Sequence, residues 1–167
     1  MTYRTGELVR VGAFAAVAGG ALRVASSFIP YAANEAWLET LYGVIDLCLL
    51  FGTIAVYLAY AEELGLIGLG AFMVALAGLA SIVGPDTVAF GVDFYVVGSV
   101  VFLLGLTALS AQMMRRGLLL APAVMWIAAL VFSVAGAAMG QPLGVLAAGL
   151  LVGLGFLVAG VVVLRRR

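Results

Sequence analysis

Asn34 to Ala61 reads NEAWLETLYGVIDLCLLFGTIAVYLAYA, and the fold is decided there. The stretch opens wet and acidic, then carries a carboxylate, Asp46, into a long apolar run. Glu35, Glu39, Tyr42 and Asp46 follow one another at steps of four, three and four residues. That is the repeat of one helix face, so the polar groups share a side and Leu, Val, Ile and Phe take the other. A carboxylate below a membrane surface is costly, which makes Asp46 the first residue to question about function.

Composition extends this reading to the whole chain. Of 167 residues, 66% are hydrophobic and 10% are charged. A soluble domain is typically about a quarter charged, so the chain lacks the polar surface to stay in water. Its length accommodates about six crossings of roughly 20 residues each. The expected fold is all-α: a single polytopic transmembrane helix bundle, with spans at about 11–29, 43–61, 66–83, 95–113, 118–138 and 143–164. Pro30, Pro85, Pro122 and Pro142 all fall at or just inside proposed helix ends, where a missing N–H costs least. The N-terminal basic arm and first apolar run also resemble a secretory signal. However, the run continues past Arg23 without a small-x-small exit, so a retained helix is expected.

All eight cations are arginine. With the N-terminus inside, Arg4, Arg10, Arg115, Arg116, Arg165, Arg166 and Arg167 fall on the inner side and only Arg23 toward the outer. The positive-inside rule then places both termini in the cytoplasm. Tyr31, Trp37, Tyr42 and Tyr95 fall near the outer interface, and Tyr3, Tyr57 and Tyr60 near the inner one, as an aromatic belt does. A faint repeat at an offset of about fifty residues (LLFGTIA near Gly52, LLGLTA near Gly105) fits either a duplicated hairpin or a chance match, which apolar stretches produce easily.

The 22 glycines carry a packing code. Gly12/Ala16/Gly20, Gly140/Gly144/Ala148 and Gly149/Gly153 sit at four-residue spacing, the small-xxx-small pattern that lets membrane helices approach closely. Packing within the bundle is the plainer reading. The sharper one is a spare Gly-rich face on the sixth helix, offered to a second copy or a partner membrane subunit.

Few groups are available for chemistry. Histidine is absent and Cys48 is the single cysteine, so no His-ligated metal, haem or cysteine cluster is expected. No basic patch supports nucleic-acid binding. Ser26, Ser27 and Ser81 have no histidine to activate them, and no catalytic residue or cofactor is assigned. Retinal attachment is excluded by the absence of lysine. Counting from Pro30, Arg23 lies about 10 Å below the outer end of the first helix. Asp46 lies about 5 Å inside the apolar part of the second. The two arrive at similar depth on adjacent antiparallel helices, so they form either a structural ion pair or the charged part of a pocket. The candidate ligand-binding set is Arg23, Asp46, Glu39 and Tyr42, with Trp37 at the rim. Asp86 and Asp93 read as solvated loop ends, Glu62–Glu63 as a wet inner turn, and Asn34 as an N-cap.

The lead-in AWLETLYGVIDL, the inner turn and the basic C-terminal tag resemble small six-helix bacterial membrane proteins of unknown function. The resemblance covers most of the length and implies the bundle and a multi-pass place in the bacterial inner membrane. It implies no activity. Three function classes remain: a binding or accessory protein for a lipid, a small amphiphile or a partner helix; a small transporter or channel component using Asp46 and Arg23; and a lipid-modifying enzyme.

Overall fold

The computed structural model describes residues 2–29, 35–83, 88–89 and 92–166. Its six helices are α1 (Thr2–Ser26), α2 (Ala36–Ala59), α3 (Ala61–Ile82), α4 (Phe94–Arg115), α5 (Leu120–Met139) and α6 (Pro142–Arg165). Each is long and apolar enough to cross a membrane. The helices outrun the expected spans at several ends. Helix α1 begins at Thr2 rather than Val11, because nothing in the polar arm stops a helix. Helix α2 begins at Ala36, with Glu35 as an N-cap residue whose side chain makes no capping bond; Asn34 lies outside the described residues, as do Pro30, Pro85 and Asp86. At 1.5 Å per residue the 24 residues of α2 are about 36 Å long, more than a hydrocarbon core of about 30 Å.

The stretch expected as a plain loop before α4 contains two short strands, β1 (Val88–Ala89) and β2 (Val92–Asp93). They pair antiparallel, Val88 with Asp93 and Ala89 with Val92. Asp93 is also more than a solvated end: its Oδ1 accepts from the Val96 N–H at 3.1 Å and caps α4. Helices α4 and α5 both stop on a left-handed glycine, Gly117 (φ 70°) and Gly140 (φ 62°). In each case the next N–H reaches back five residues, Leu118 to the Met113 carbonyl and Gln141 to the Gly136 carbonyl, both at 2.8 Å. Pro142 then starts α6 in its first turn, where its fixed φ suits a helix.

Helix α3 is broken near its start. Gly65 takes φ 60°, ψ −161°, which removes the Leu64 carbonyl from the regular ladder. Gln112 of α4, 6% exposed, supplies the missing donor: its Nε2 reaches the Leu64 oxygen at 3.2 Å. Gln112→Leu should leave that buried carbonyl bare and cost about 1–3 kcal/mol. Unfolding in detergent would measure this, and an unchanged midpoint would refute the role.

The helices close a ring in chain order, with α6 returning onto α1. Glycine pairs show that neighbours run antiparallel. A Cβ at Gly12 would meet Ala55 and the Phe51 carbonyl, and one at Gly19 would meet Cys48, so α1 descends against a rising α2. Gly20 and Gly153 approach each other's backbones across α1 and α6, Gly105 faces Ala75 across α3 and α4, and Gly136 faces Gly144 across α5 and α6. Packing is tight within α1/α2, α1/α6, α5/α6 and α3/α4, and looser across α2/α3 and α4/α5. The α3–α4 hairpin is thus one unit set against the other four helices. In the half of the bundle nearer the termini the centre is solid: Leu64, Leu106, Leu109, Met113, Trp126 and Phe156 are at most 1% exposed. The Trp126 and Phe156 rings lie 5.1 Å apart.

Glu62–Glu63, expected as a wet turn, instead opens α3, and the C-terminal tag is joined to it. Arg166 Nη2 bonds Glu63 at 2.6 Å, and its Nη1 donates to the Ala59 carbonyl at the end of α2 at 2.9 Å. Its guanidinium also lies 4.2 Å from the Tyr60 ring centroid. Carboxylate and guanidinium are both well exposed, so the contact fixes position more than it adds stability.

Candidate functional site: a charged cavity on the bundle axis

At the end away from the termini the six helices do not fill their centre. A cavity of about 380 Å³ remains, and every helix contributes to its wall. The volume is within the range of small-molecule sites, roughly 300–1,000 Å³. Short side chains make the space: Ser99 on α4, Ser133 and Ala137 on α5, Ala148 and Gly149 on α6. Leu49, Leu79, Phe102 and Val152 complete an apolar lower wall.

Arg23 and Asp46 both open into this cavity. Their depths follow from the packing. Gly19 meets Cys48, so Asp46 is level with about residue 21 of α1, and Arg23 lies about 3 Å further along at 1.5 Å per residue. Asp46 is 9% exposed and lies on the buried face of α2 with Ile45 and Leu49. Arg23 is half-buried. Its guanidinium is held from two sides. The Tyr42 ring centroid is 5.8 Å from it, and a Cβ at Gly149 would come within 3.1 Å of Nη2. A glycine on α6 is therefore what makes room for the cation. Ser26 and Ser27, both near the end of α1, donate to the Arg23 carbonyl at 3.0 and 2.9 Å, so their hydroxyls finish the helix.

Of the five residues read from the sequence, the structure brings Arg23, Asp46 and Tyr42 together. Glu39 and Trp37 are exposed near the start of α2 and do not line the cavity. Sequence reasoning missed Tyr95, Ser99 and Ser133, which add polar atoms to the wall. Tyr95 and Ser99 are four residues apart on one helix face, and that spacing was a usable signal. Ser133 stands alone in an apolar run and offered none. Among the described residues no three of His, Cys, Asp and Glu cluster in a way that could hold a metal ion. The arrangement offers a cation, an anion and three hydroxyl-bearing side chains at the edge of an apolar chamber. It can hold an amphipathic molecule by both of its ends.

The chain matches no protein-family model, no curated protein and no solved structure among those compared. The functional reading therefore rests on the cavity.

Proposed function

We propose that this chain is a multi-pass protein of the bacterial inner membrane with both termini in the cytoplasm. In this reading it is a non-enzymatic binding or accessory protein that holds a small amphipathic molecule in the outer half of the bundle. One observation carries the reading: a cavity walled by all six helices with Arg23 and Asp46 on its surface. Keeping two charges beside an apolar chamber is costly, and a ligand with charge at one end and hydrocarbon at the other offsets that cost. The solid centre beneath the cavity speaks against an open channel. The orientation is supported by arginine placement: Arg10, Arg115, Arg116, Arg165 and Arg166 gather at the end of the bundle that holds the termini, and Arg23 lies toward the other. Single cysteines at positions 116 and 141, in a Cys48→Ser background, should label from the cytoplasmic and periplasmic sides respectively. Periplasmic labelling of position 116 would reverse the assignment.

Binding is tested by thermal unfolding in a non-ionic detergent during titration with dodecyl amphiphiles bearing cationic, anionic or zwitterionic heads. At least one head type should raise the midpoint saturably. Ser133→Phe, which fills the chamber from α5, should abolish the rise. A rise that survives Ser133→Phe, or no saturable rise with any head, would refute the binding reading.

A further inference from the structure

The cavity wall is not uniform around its circumference. On the α2 and α3 side it is sealed: Leu49 is 3%, Leu79 0% and Ile82 9% exposed. Elsewhere on the wall Val96 and Val100 of α4 and Val145 of α6 line the same cavity, yet are 55%, 49% and 56% exposed. The chamber is therefore least covered where α4, α5 and α6 wall it, and α4–α5 is one of the two loosely packed seams of the ring. Val96, Val100, Ala137 and Val145 make this exposed part of the wall mostly apolar, with Ser133 among them, which suits hydrocarbon. Arg23 and Asp46 line the same cavity.

Resting on the binding reading above, we propose that the ligand is a zwitterionic membrane phospholipid taken in sideways through the α4–α5 seam. Its phosphate lies on Arg23, its ammonium on Asp46, and its acyl chains stay between the valines at the rim. A guanidinium matches phosphate oxygens in a planar two-point contact, and Tyr42 and Gly149 already hold this one in place. A compact ammonium is the natural counterpart of the Asp46 carboxylate. A purely anionic head would bring its charge against Asp46, and a purely cationic head would bring its charge against Arg23. Only a head carrying both signs meets a complement at each position. The two residues differ by about 3 Å in depth, and both lie in the half of the bundle away from the termini.

The experiment extracts the protein into non-ionic detergent from bilayers of equimolar phosphatidylethanolamine and phosphatidylglycerol, then counts retained lipid by native mass spectrometry. Wild type should keep one phosphatidylethanolamine per chain and little phosphatidylglycerol. Asp46→Asn should reduce the preference for the zwitterion on the order of tenfold, the usual worth of one charged contact. Arg23→Met should lose both lipids. Val100→Trp, on the exposed face where folding is least at risk, should exclude the lipid by blocking the seam. Equal retention of the two lipids by wild type would overturn the headgroup assignment, and undiminished retention in Val100→Trp would overturn the sideways route. If neither lipid is retained while dodecyl amphiphiles still stabilise saturably, this inference fails and the binding reading stands. If those amphiphiles also have no effect, both fail.

Discussion

Gly105→Ala is expected to cost about 3 kcal/mol or more, the upper end of what overpacking a tight contact does. A Cβ there would fall on the Ala75 backbone, 2.6 Å from its Cα and 2.8 Å from the Val74 carbonyl carbon. Neither atom belongs to a flexible side chain, so relief requires the α3 and α4 axes to separate. Separation is costly in a membrane, where close packing rather than the hydrophobic effect holds helices together. Gly70 on the same α3 is the control: nothing lies within 4 Å of its Cβ position. Gly70→Ala should be neutral or stabilising by up to about 1 kcal/mol, since alanine is the better helix former. Chemical unfolding of both variants in the same detergent decides the matter. Similar midpoints for the two would mean that the α3–α4 contact is not limiting for stability.

The glycine argument also marks how far the sequence could be read. Six apolar runs, their punctuation by Gly and Pro, and the gathering of arginines at one end were legible, because each is a local property. The small-residue faces were legible as packing faces. Their partners were not. Gly12 and Gly19 of α1 serve α2, whereas Gly20, one residue on, serves α6. On α6, Gly149, Gly153 and Gly160 face α1 while Gly144 and Gly155 face α5, so the described glycines of that helix are engaged within the bundle. A face repeat says that a side is small but not which neighbour uses it.

Contacts between distant positions were closed to sequence reasoning for the same reason. Gln112 and Leu64 are 48 residues apart, and Arg166 and Glu63 are 103 apart. A glutamine in an apolar helix signals a buried polar partner, but a backbone carbonyl freed by a kink leaves no letter in the sequence. Glu63 read as part of a wet turn and Arg166 as part of a basic tag, and only ring closure brings them together. At the site, the four-three-four spacing of Glu35, Glu39, Tyr42 and Asp46 put on one face Asp46, which lines the cavity, and Tyr42, whose ring lies beside Arg23. It could not say where the face leaves the bundle, which happens before Glu39 is reached. The cavity itself is an absence of volume summed over six helices, and no single helix pattern encodes it.

The largest effect at the site is expected from separating Arg23 and Asp46. Each faces one cavity at nearly one depth, so each charge is part of the other's surroundings. Removing one member of a buried pair leaves the other uncompensated and typically costs about 3–5 kcal/mol. Arg23 is only half-buried, so water reaches it and Asp46→Leu belongs at the lower end of that range. Arg23→Met should cost more, because it strands the carboxylate of a residue that is 9% exposed and discards the contacts with Tyr42 and Gly149. The double variant should recover much of the loss, since an apolar lining has no charge left to solvate. Unfolding midpoints of the wild type, both single variants and the double variant complete the cycle. Strict additivity would show that the two charges do not interact, and the phosphate and ammonium positions assigned to the cavity would then have to be treated as separate sites.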